Sequence, residues 1–548
     1  MRKSRDEWWE EYKRYLDESP VSITKLVETL SPKRTIPSKQ YVKINRKYTL
    51  WEFQREILNK ISNYDYGLIV GLPTGLGKTY VAGAYLEKKS GERGLRVLFL
   101  VPSVPLGVQQ TIFAREKLGI ENAYFISGAI PPEKRMELKV WNAGFVVTTP
   151  QTFANDHLYP FKDEIKRVKN NEEGFMELKK LFKVAEFEFP YDIVVADECQ
   201  KYIGETDGHA ILIAAKVCGK KVLALSATPQ LHSKTRLTEL KRIFDVIEVF
   251  SLEHPSIKRH IPPRILYIVR LETPQKLLEV YQALSRQVSV LESEIRKLYG
   301  SKHLDENCIE HQICRRRMTL KLLNFRLIED GASSVLKYRS WRLPELNQPI
   351  EELNGKSIIK AYREALKENF NHKIDATVKI LEAERYNKGI VFAEAIEVVK
   401  QVGKRLQEKF GMEDVAIMVG KGEMTLEQQA SALLQFKGKA RILVATSVGE
   451  EGLDIPAADI EIWIDPPSNP QKWIQRFGRI LRQTEEKIAR TYALISMQTH
   501  ERNKLLGIMR KCTEIYGFTQ RIAYINIDDI YSGQTTLTSF MGKTKNTP

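Results

Sequence analysis

Short apolar runs separated by longer, helix-like amphipathic segments dominate the chain from about residue 41 to 250. Five of these runs, at 67–70, 97–101, 145–148, 191–196 and 222–225, are continuous rather than alternating, which predicts strands buried on both faces of a parallel sheet. The alternation stops near residue 251. From Leu277 the apolar positions Tyr281, Leu284, Val288, Leu291, Ile295 and Leu298 follow at spacings of four and three, ending at Gly300. That period predicts one long amphipathic helix with a heptad-like seam, started by Thr273 and Pro274. Three heptads make a short dimerisation seam, so packing within the block is the expected use. Further helices are predicted over 315–327 and 358–370, and the α/β alternation returns with apolar runs at 389–393, 415–419, 442–445 and 460–464.

The predicted organisation is an extension (1–40), an α/β domain (41–250), a helical insertion (251–371), a second α/β domain (372–527) and a tail (528–548). The extension opens with an aromatic-rich helix (Trp8, Trp9, Tyr12, Tyr15, Leu16) expected to pack on the next domain. The charged segment 161–188 reads as a helical insertion before the strand at 191–196, and the tail has the composition of a mobile segment.

Chemistry enters at two strand ends. The first apolar run leads into GLPTGLGKT, Gly71 to Thr79. A loop of this kind surrounds phosphate oxygens with backbone N–H groups, while Lys78 adds a cation and Thr79 a hydroxyl for Mg²⁺. Leu72 stands where a strict P-loop has glycine, but Pro73, Thr74, Gly75, Leu76, Gly77, Lys78 and Thr79 fit the PTGxGKT form. The run 191–196 delivers Asp197 and Glu198 to the carboxyl end of its strand. One carboxylate can hold the metal and its neighbour can orient an attacking water.

Composition narrows the partners. The 548 residues, 43% hydrophobic and 28% charged, suit a globular protein of several domains, and the formal charge of +16 favours a polyanion. No apolar run reaches the roughly 20 residues of a membrane span, and the start has no signal-peptide core, so an intracellular, soluble protein is expected. Five cysteines form no disulfide framework, and His303, Cys308, His311 and Cys314 match no ordinary zinc spacing.

The second α/β core has no P-loop, yet it carries ATSVGEEGLDIP (Ala445 to Pro456) and QRFGRILR (Gln475 to Arg482). With LALSATP at 223–229 these runs resemble the ordered motifs of superfamily 2 helicases, from about residue 50 to 485. The resemblance implies two tandem RecA-like domains that use ATP and Mg²⁺. It assigns Lys78 and Thr79 to the triphosphate and metal, Asp197 to the metal, and Glu198 to water activation. Gln200 is implied to couple that site to the second core. Gln475, Arg479 and Arg482 would complete the site across the cleft, supported by Arg476, with Gly452 and Asp454 at its nucleotide side. Leu481 replaces the glycine usual before the last arginine, as in helicases of the XPB type. LWEFQ, at 50–54, resembles the adenine-reading motif through Gln54; Trp51 replaces its usual arginine and reads as a buried residue at a helix start.

Nucleic-acid contacts are expected from the runs 101–110 and 148–156 and from 446–449, with Ser103, Gln109, Thr149, Gln151, Ser226, Thr228 and Thr446 as the candidates. Arg315, Arg316 and Arg317 form a candidate backbone grip in the helical block. TPQTxxND, EEGLDIP and the helical insertion together resemble the archaeal Hef and FANCM branch and its RNA-sensing relatives. The GDxxxERKxxxD nuclease motif that Hef proteins often add does not occur, so a motor without a nuclease is expected. In the tail, Gln534, Leu537, Phe540 and Met541 resemble the motif that docks on the sliding clamp, PCNA. The resulting expectation is a DNA helicase or translocase on branched or repair intermediates. An RNA-directed helicase and a clamp-tethered scaffold with an ATP-gated grip are the alternatives.

Overall fold

A computed structural model describes residues 5–18, 22–64, 67–73, 75–167, 172–227, 234–304, 311–329, 352–353, 356–357, 372–420, 422–446, 455, 458–467, 469–480, 488–517 and 520–527. The first core is a parallel sheet of seven strands: β1 Leu68–Gly71, β2 Val97–Leu100, β3 Ala123–Ile126, β4 Phe145–Thr148, β5 Ile193–Ala196, β6 Lys221–Ser226 and β7 Val246–Val249. Their order is β3-β4-β2-β5-β6-β1-β7. The five continuous apolar runs are β1, β2, β4, β5 and β6, the interior strands whose two faces are both covered by helices. The two edge strands β3 and β7 escaped the sequence reading.

The second sheet contains β8 Arg264–Leu271, β11 Gly389–Phe392, β12 Val415–Met418, β13 Ile442–Ala445, β14 Ile460–Trp463, β15 Ala489–Ser496 and β16 Arg521–Asn526. Its order, β12-β13-β11-β14-β15-β8-β16, repeats the first sheet position for position. A two-residue pair, β9 Glu352–Leu353 and β10 Lys356–Ser357, stands apart as an antiparallel ladder. β8 corrects the expectation for 251–371. This strand precedes the helical block in sequence yet pairs along its whole length with β15, Arg264 to Ala489 through Leu271 to Ser496. Eight paired residues bury more than a solvated leader could, so the second core begins before the helical insertion and resumes after it.

The insertion is a helical hairpin. Helix Gln275–Tyr299 packs on helix Gln312–Glu329 through Leu277, Val280, Leu284 and Leu291 against Leu320, Leu327 and Ile328. The seam is therefore satisfied inside the block from Leu277 to Leu291, whereas Leu298 at its end is exposed. At its foot Glu329 accepts from Lys504 at 2.7 Å and pairs with His500 at 2.9 Å, and the His500 ring stacks on Phe325. These contacts tie the hairpin to helix Glu501–Tyr516 of the second core. The predicted helix 358–370 and the tail 528–548 lie outside the described residues.

The extension does more than pack on the next domain. Helix α1, Arg5–Asp17, lies on the second core: Trp8 Nε1 donates to Gln407 at 3.0 Å, and the Tyr12 hydroxyl accepts from the Ile417 N–H at 2.7 Å on the edge strand β12. Helix α2, Ile23–Leu30, crosses to the first core, where the Ser31 hydroxyl donates to Phe125 of β3 at 3.2 Å. Glu427 of the second core accepts from the Thr24 N–H at 3.0 Å, fixing the crossing point. The aromatic face of α1 thus fills the second core, at about 2–3 kcal/mol for each fully buried large side chain. Together α1 and α2 join the β3 edge of one sheet to the β12 edge of the other.

Candidate active site

Both sheets are parallel, so every strand ends on the same side, and there the candidate residues gather. β1 lies between β6 and β7, all four of its residues buried. The chain leaves it through Leu72, whose N–H donates to the Ser226 carbonyl at 3.0 Å. Gly75 and Gly77 follow at φ 85° and 78°, backbone that L side chains rarely adopt. A Cβ on Gly77 would lie 2.6 Å from Gln54 Nε2 and displace that amide, but it is the backbone conformation that requires glycine here. Helix α3, Glu52–Ile61, carries Gln54, and helix α4, Lys78–Ser90, starts directly after Gly77, presenting its N-terminal amides at the loop. Thr74 lies outside the described residues.

The acidic pair closes the other wall. Lys78 Nζ stands 3.9 Å from Glu198 Oε1, both side chains nearly buried. Glu198 itself sits at φ 53°, a left-handed conformation that costs a non-glycine residue roughly 1–3 kcal/mol and is found where the surroundings over-determine it. Gln200 Nε2 donates to Glu198 Oε2 at 2.5 Å, and Ser226 Oγ donates to Gln200 Oε1 at 2.7 Å. A continuous line, Lys78–Glu198–Gln200–Ser226, therefore joins the phosphate loop to the end of β6. Asp197 Oδ1 accepts from the Glu198 N–H at 3.0 Å, and its Oδ2 accepts from Gln110 Nε2 at 3.0 Å. Burial, with Glu198 adding and Lys78 opposing, pushes the Asp197 carboxyl up to about 7. Thr79 and Asp197 bring hard oxygen donors to the same Gln110 amide nitrogen, which lies 3.3 Å from the Thr79 hydroxyl. That donor set fits Mg²⁺, whose charge would offset the burial of the two carboxylates.

Some placements differ from the expectations. Gln54 is buried and spends its amide on the backbone, donating to Leu76 at 3.0 Å and accepting from the Trp51 N–H at 3.0 Å. It braces the phosphate loop in this conformation. Trp51 is 46% exposed, not buried, and its ring lies nearly parallel to that of His260, at 6.3 Å. A residue preceding the first helical turn points outward because the helix burial starts with Phe53. Ser226 and Thr446 are also interior: Ser226 is spent on Gln200, and Thr446 is bonded through its N–H to Met418 at 3.2 Å. Ser103 and Thr149 stand at the N-caps of helix α5, Val104–Lys117, and of helix Pro150–His157, with Gln109 half-buried and Gln151 exposed. Thr228 lies outside the described residues.

In the second core, Gln475, Arg476 and Arg479 are gathered by helix Pro470–Phe477 and the turn after it. Trp473 and Phe477 pack edge-on against Trp463 of β14 at 4.8 and 5.1 Å, which fixes that helix on the sheet. Arg476 does not line a cleft here. It is fully buried, donating to Glu394 at 2.9 Å and to the Asp465 carbonyl at 3.2 Å, with its guanidinium over Phe392. Arg479 is 4% exposed. Arg482, Gly452 and Asp454 lie outside the described residues, as do Gln534, Leu537, Phe540 and Met541.

In the hairpin, Arg315 is exposed and Arg316 half-buried, whereas Arg317 is buried, donating to the Leu304 carbonyl at 2.7 Å beside Glu292. Of the histidine–cysteine group, Cys308 lies outside the described residues; Cys314 is buried with its thiol toward the His303 carbonyl, and His311 stacks on Tyr299 at 3.9 Å. Among the described residues no group of three metal-binding side chains forms, and no helix is long and apolar enough to cross a membrane. Gln110, read as part of a nucleic-acid run, is the site residue that sequence reasoning misplaced.

Known proteins match this arrangement. The family described as "Type III restriction enzyme, res subunit" matches residues 45–231, and "Helicase conserved C-terminal domain" matches residues 372–484. A candidate ATP-dependent RNA helicase of Methanocaldococcus jannaschii is 24% identical over 501 residues, covering 83% of this chain and 59% of its own length. The ATP-dependent DNA helicase mph1 of Neurospora crassa is 22% identical, with 82% of this chain and 42% of its own covered. The chain thus spans about half the length of these curated relatives. The solved Hef helicase domain of Pyrococcus furiosus shares the fold, at TM-score 0.51 and 20% identity, covering 83% of this chain and 98% of that one. The chain belongs to the superfamily 2 helicases. The relatives and the solved structure that it resembles include proteins of the Hef and FANCM type.

Proposed function

We propose that the protein is an ATP-dependent DNA helicase or translocase acting on branched or repair intermediates. The observation that carries this reading is the buried line Lys78–Glu198–Gln200–Ser226 beside Asp197 and Thr79, on the first of two sheets of identical strand order. Lys78 and the α4 amides hold the triphosphate, and Thr79 and Asp197 hold the metal. Bound Mg²⁺ offsets charge on the phosphates. Glu198, with Gln200 fixing one oxygen, takes a proton from the attacking water. Arg479 and Arg482 supply positive charge from the second core, so turnover requires closure of the cores. Closure and reopening while both cores hold one phosphate backbone moves the protein along the strand.

DNA is favoured over RNA by the relatives named as DNA helicases; the archaeal relative, named for RNA, supports the second reading. The ATPase rate measured with single-stranded DNA, duplex, forks, four-way junctions and RNA decides between them. Strongest activation by forks or junctions is expected, and strongest activation by RNA selects the alternative. Strand separation or one-way movement on a labelled fork distinguishes a motor from a clamp-tethered scaffold. The tail residues Gln534, Leu537, Phe540 and Met541 dock on a sliding clamp, with Leu537 and Phe540 as the apolar anchors. Calorimetry of the full chain against the clamp, with Leu537→Ala plus Phe540→Ala as control, tests that contact: equal heats from both chains end it. We assign 264–271 to the second core and the hairpin from 275 to the insertion, a division that the strand order supports.

A further inference from the structure

Gln110 lies in neither loop that carries the phosphate chemistry. It is the seventh residue of α5, two turns beyond its N-cap Ser103, and only 3% exposed. Its amide nitrogen reaches both oxygen donors assigned to Mg²⁺, Asp197 Oδ2 at 3.0 Å and Thr79 Oγ1 at 3.3 Å. A carboxamide –NH₂ has two hydrogens, so one group can satisfy both acceptors at once. Asp197 has a second fixed contact, the Glu198 N–H at 3.0 Å. With both carboxylate oxygens held from different directions, the plane of the carboxylate is set before any metal arrives.

The helix that brings Gln110 in also begins at the carboxyl end of β2, where Ser103 is a candidate phosphate contact. Its flank is fixed as well: Arg115 donates to the Ala123 carbonyl at 2.9 Å and to the Leu30 carbonyl at 3.3 Å. A helix held this way moves as a rod, and a shift at its first turn is transmitted to a residue two turns on.

The geometry points to Gln110 as a positioning residue that pre-sets Thr79 and Asp197 for Mg²⁺ and links that pair to the nucleic-acid-facing end of α5. It touches no reacting atom. This rests on the proposed ATP-dependent activity, but the Mg²⁺ dependence of nucleotide binding tests it separately. Gln110→Leu keeps the bulk and removes both hydrogen bonds; Gln110→Glu keeps the shape and places a carboxylate beside Asp197, which Mg²⁺ neutralises.

The experiment titrates Mg²⁺ against binding of a fluorescent ATP analogue to the full chain, and against ATPase with and without single-stranded DNA. Gln110→Leu is expected to raise the half-saturating Mg²⁺ about tenfold in both assays and to lose most DNA stimulation. DNA affinity and analogue affinity without Mg²⁺ stay at wild-type values. Gln110→Glu is expected to recover as Mg²⁺ is raised, a rescue that a packing role does not give. Two folded variants with wild-type half-saturating Mg²⁺ overturn the inference. If Gln110→Leu does not fold, Gln110→Glu decides by whether its deficit responds to Mg²⁺. A wild-type chain that binds the analogue with Mg²⁺ but never hydrolyses ATP overturns the proposed activity alone.

Discussion

The two cores are built on one strand order, and they part at the same crossover. Between β1 and β2 the first core places the glycine loop and α4; between β8 and β11 the second places the helical hairpin and helix His372–Ala383. The acidic positions diverge in parallel. Asp197 follows β5 and faces Lys78 and Glu198 at the phosphate loop. Asp465 follows the corresponding strand β14, accepts from the Glu394 N–H at 3.0 Å and lies beside buried Arg476. One core leaves its carboxylates short of positive charge. The other neutralises its own with an internal arginine. The same scaffold therefore yields a metal-seeking site in one copy and a rigid support for arginines in the other.

The largest test of this asymmetry is Glu198→Gln. It removes the base from the charge-poor core, and ATP turnover should fall about 10²–10⁴-fold with nucleotide binding retained, read from steady-state rates and a binding titration. Wild-type turnover would show that the proton goes elsewhere. Next is Arg476→Met, which removes the cation beside buried Asp465 while half-buried Glu394 keeps Lys472. A loss of about 3–5 kcal/mol in denaturant unfolding is expected, as for other broken buried pairs. The same substitution should leave the first core's nucleotide affinity unchanged.

A smaller effect joins hairpin to second core at Glu329. Burial raises its pKa, but the hydrogen bonds and charges of His500 and Lys504 outweigh burial and hold it down to about 2. Because the folded value lies below the ordinary 4.5, the stabilisation is complete above about 4.5 and is lost as pH falls through about 2. Wild type should exceed Glu329→Gln by on the order of 2–3 kcal/mol near neutrality, and the gap should close over that acid range. A pH-independent gap would assign the effect to packing. Smallest is Trp51→Ala, which removes a half-exposed stack on His260 and should cost about 0.5–1 kcal/mol in thermal melts.

What could be read from the chain followed from burial. Interior parallel strands are covered on both faces and so appear as unbroken apolar runs, and the glycine loop, Asp197 and Glu198 advertise themselves because phosphate chemistry restricts residue type within a few positions. The edge strands β3, β7 and β16 and the interior strand β15 were not identified; Glu248 interrupts β7, and Arg490 and Thr491 interrupt β15. β8 carries a strong apolar run, PPRILYIVRL, yet 251–371 was read as a helical block, because no local feature states which sheet such a run joins. Trp51 was misread for a related reason: an aromatic at a helix start has no periodicity to show whether its side chain faces in or out.

By itself the sequence determined the element types, the two α/β cores and the identity of the phosphate and acidic loops, since these depend on contacts between near neighbours. Tertiary structure alone decided that α1 and α2 bind the outer edges of both sheets, that Arg476 is an interior counter-ion, and that Gln110 meets Thr79 and Asp197. Each of these is a pairing between residues far apart in the chain. A polar side chain carries no local record of the partner that burial will force on it.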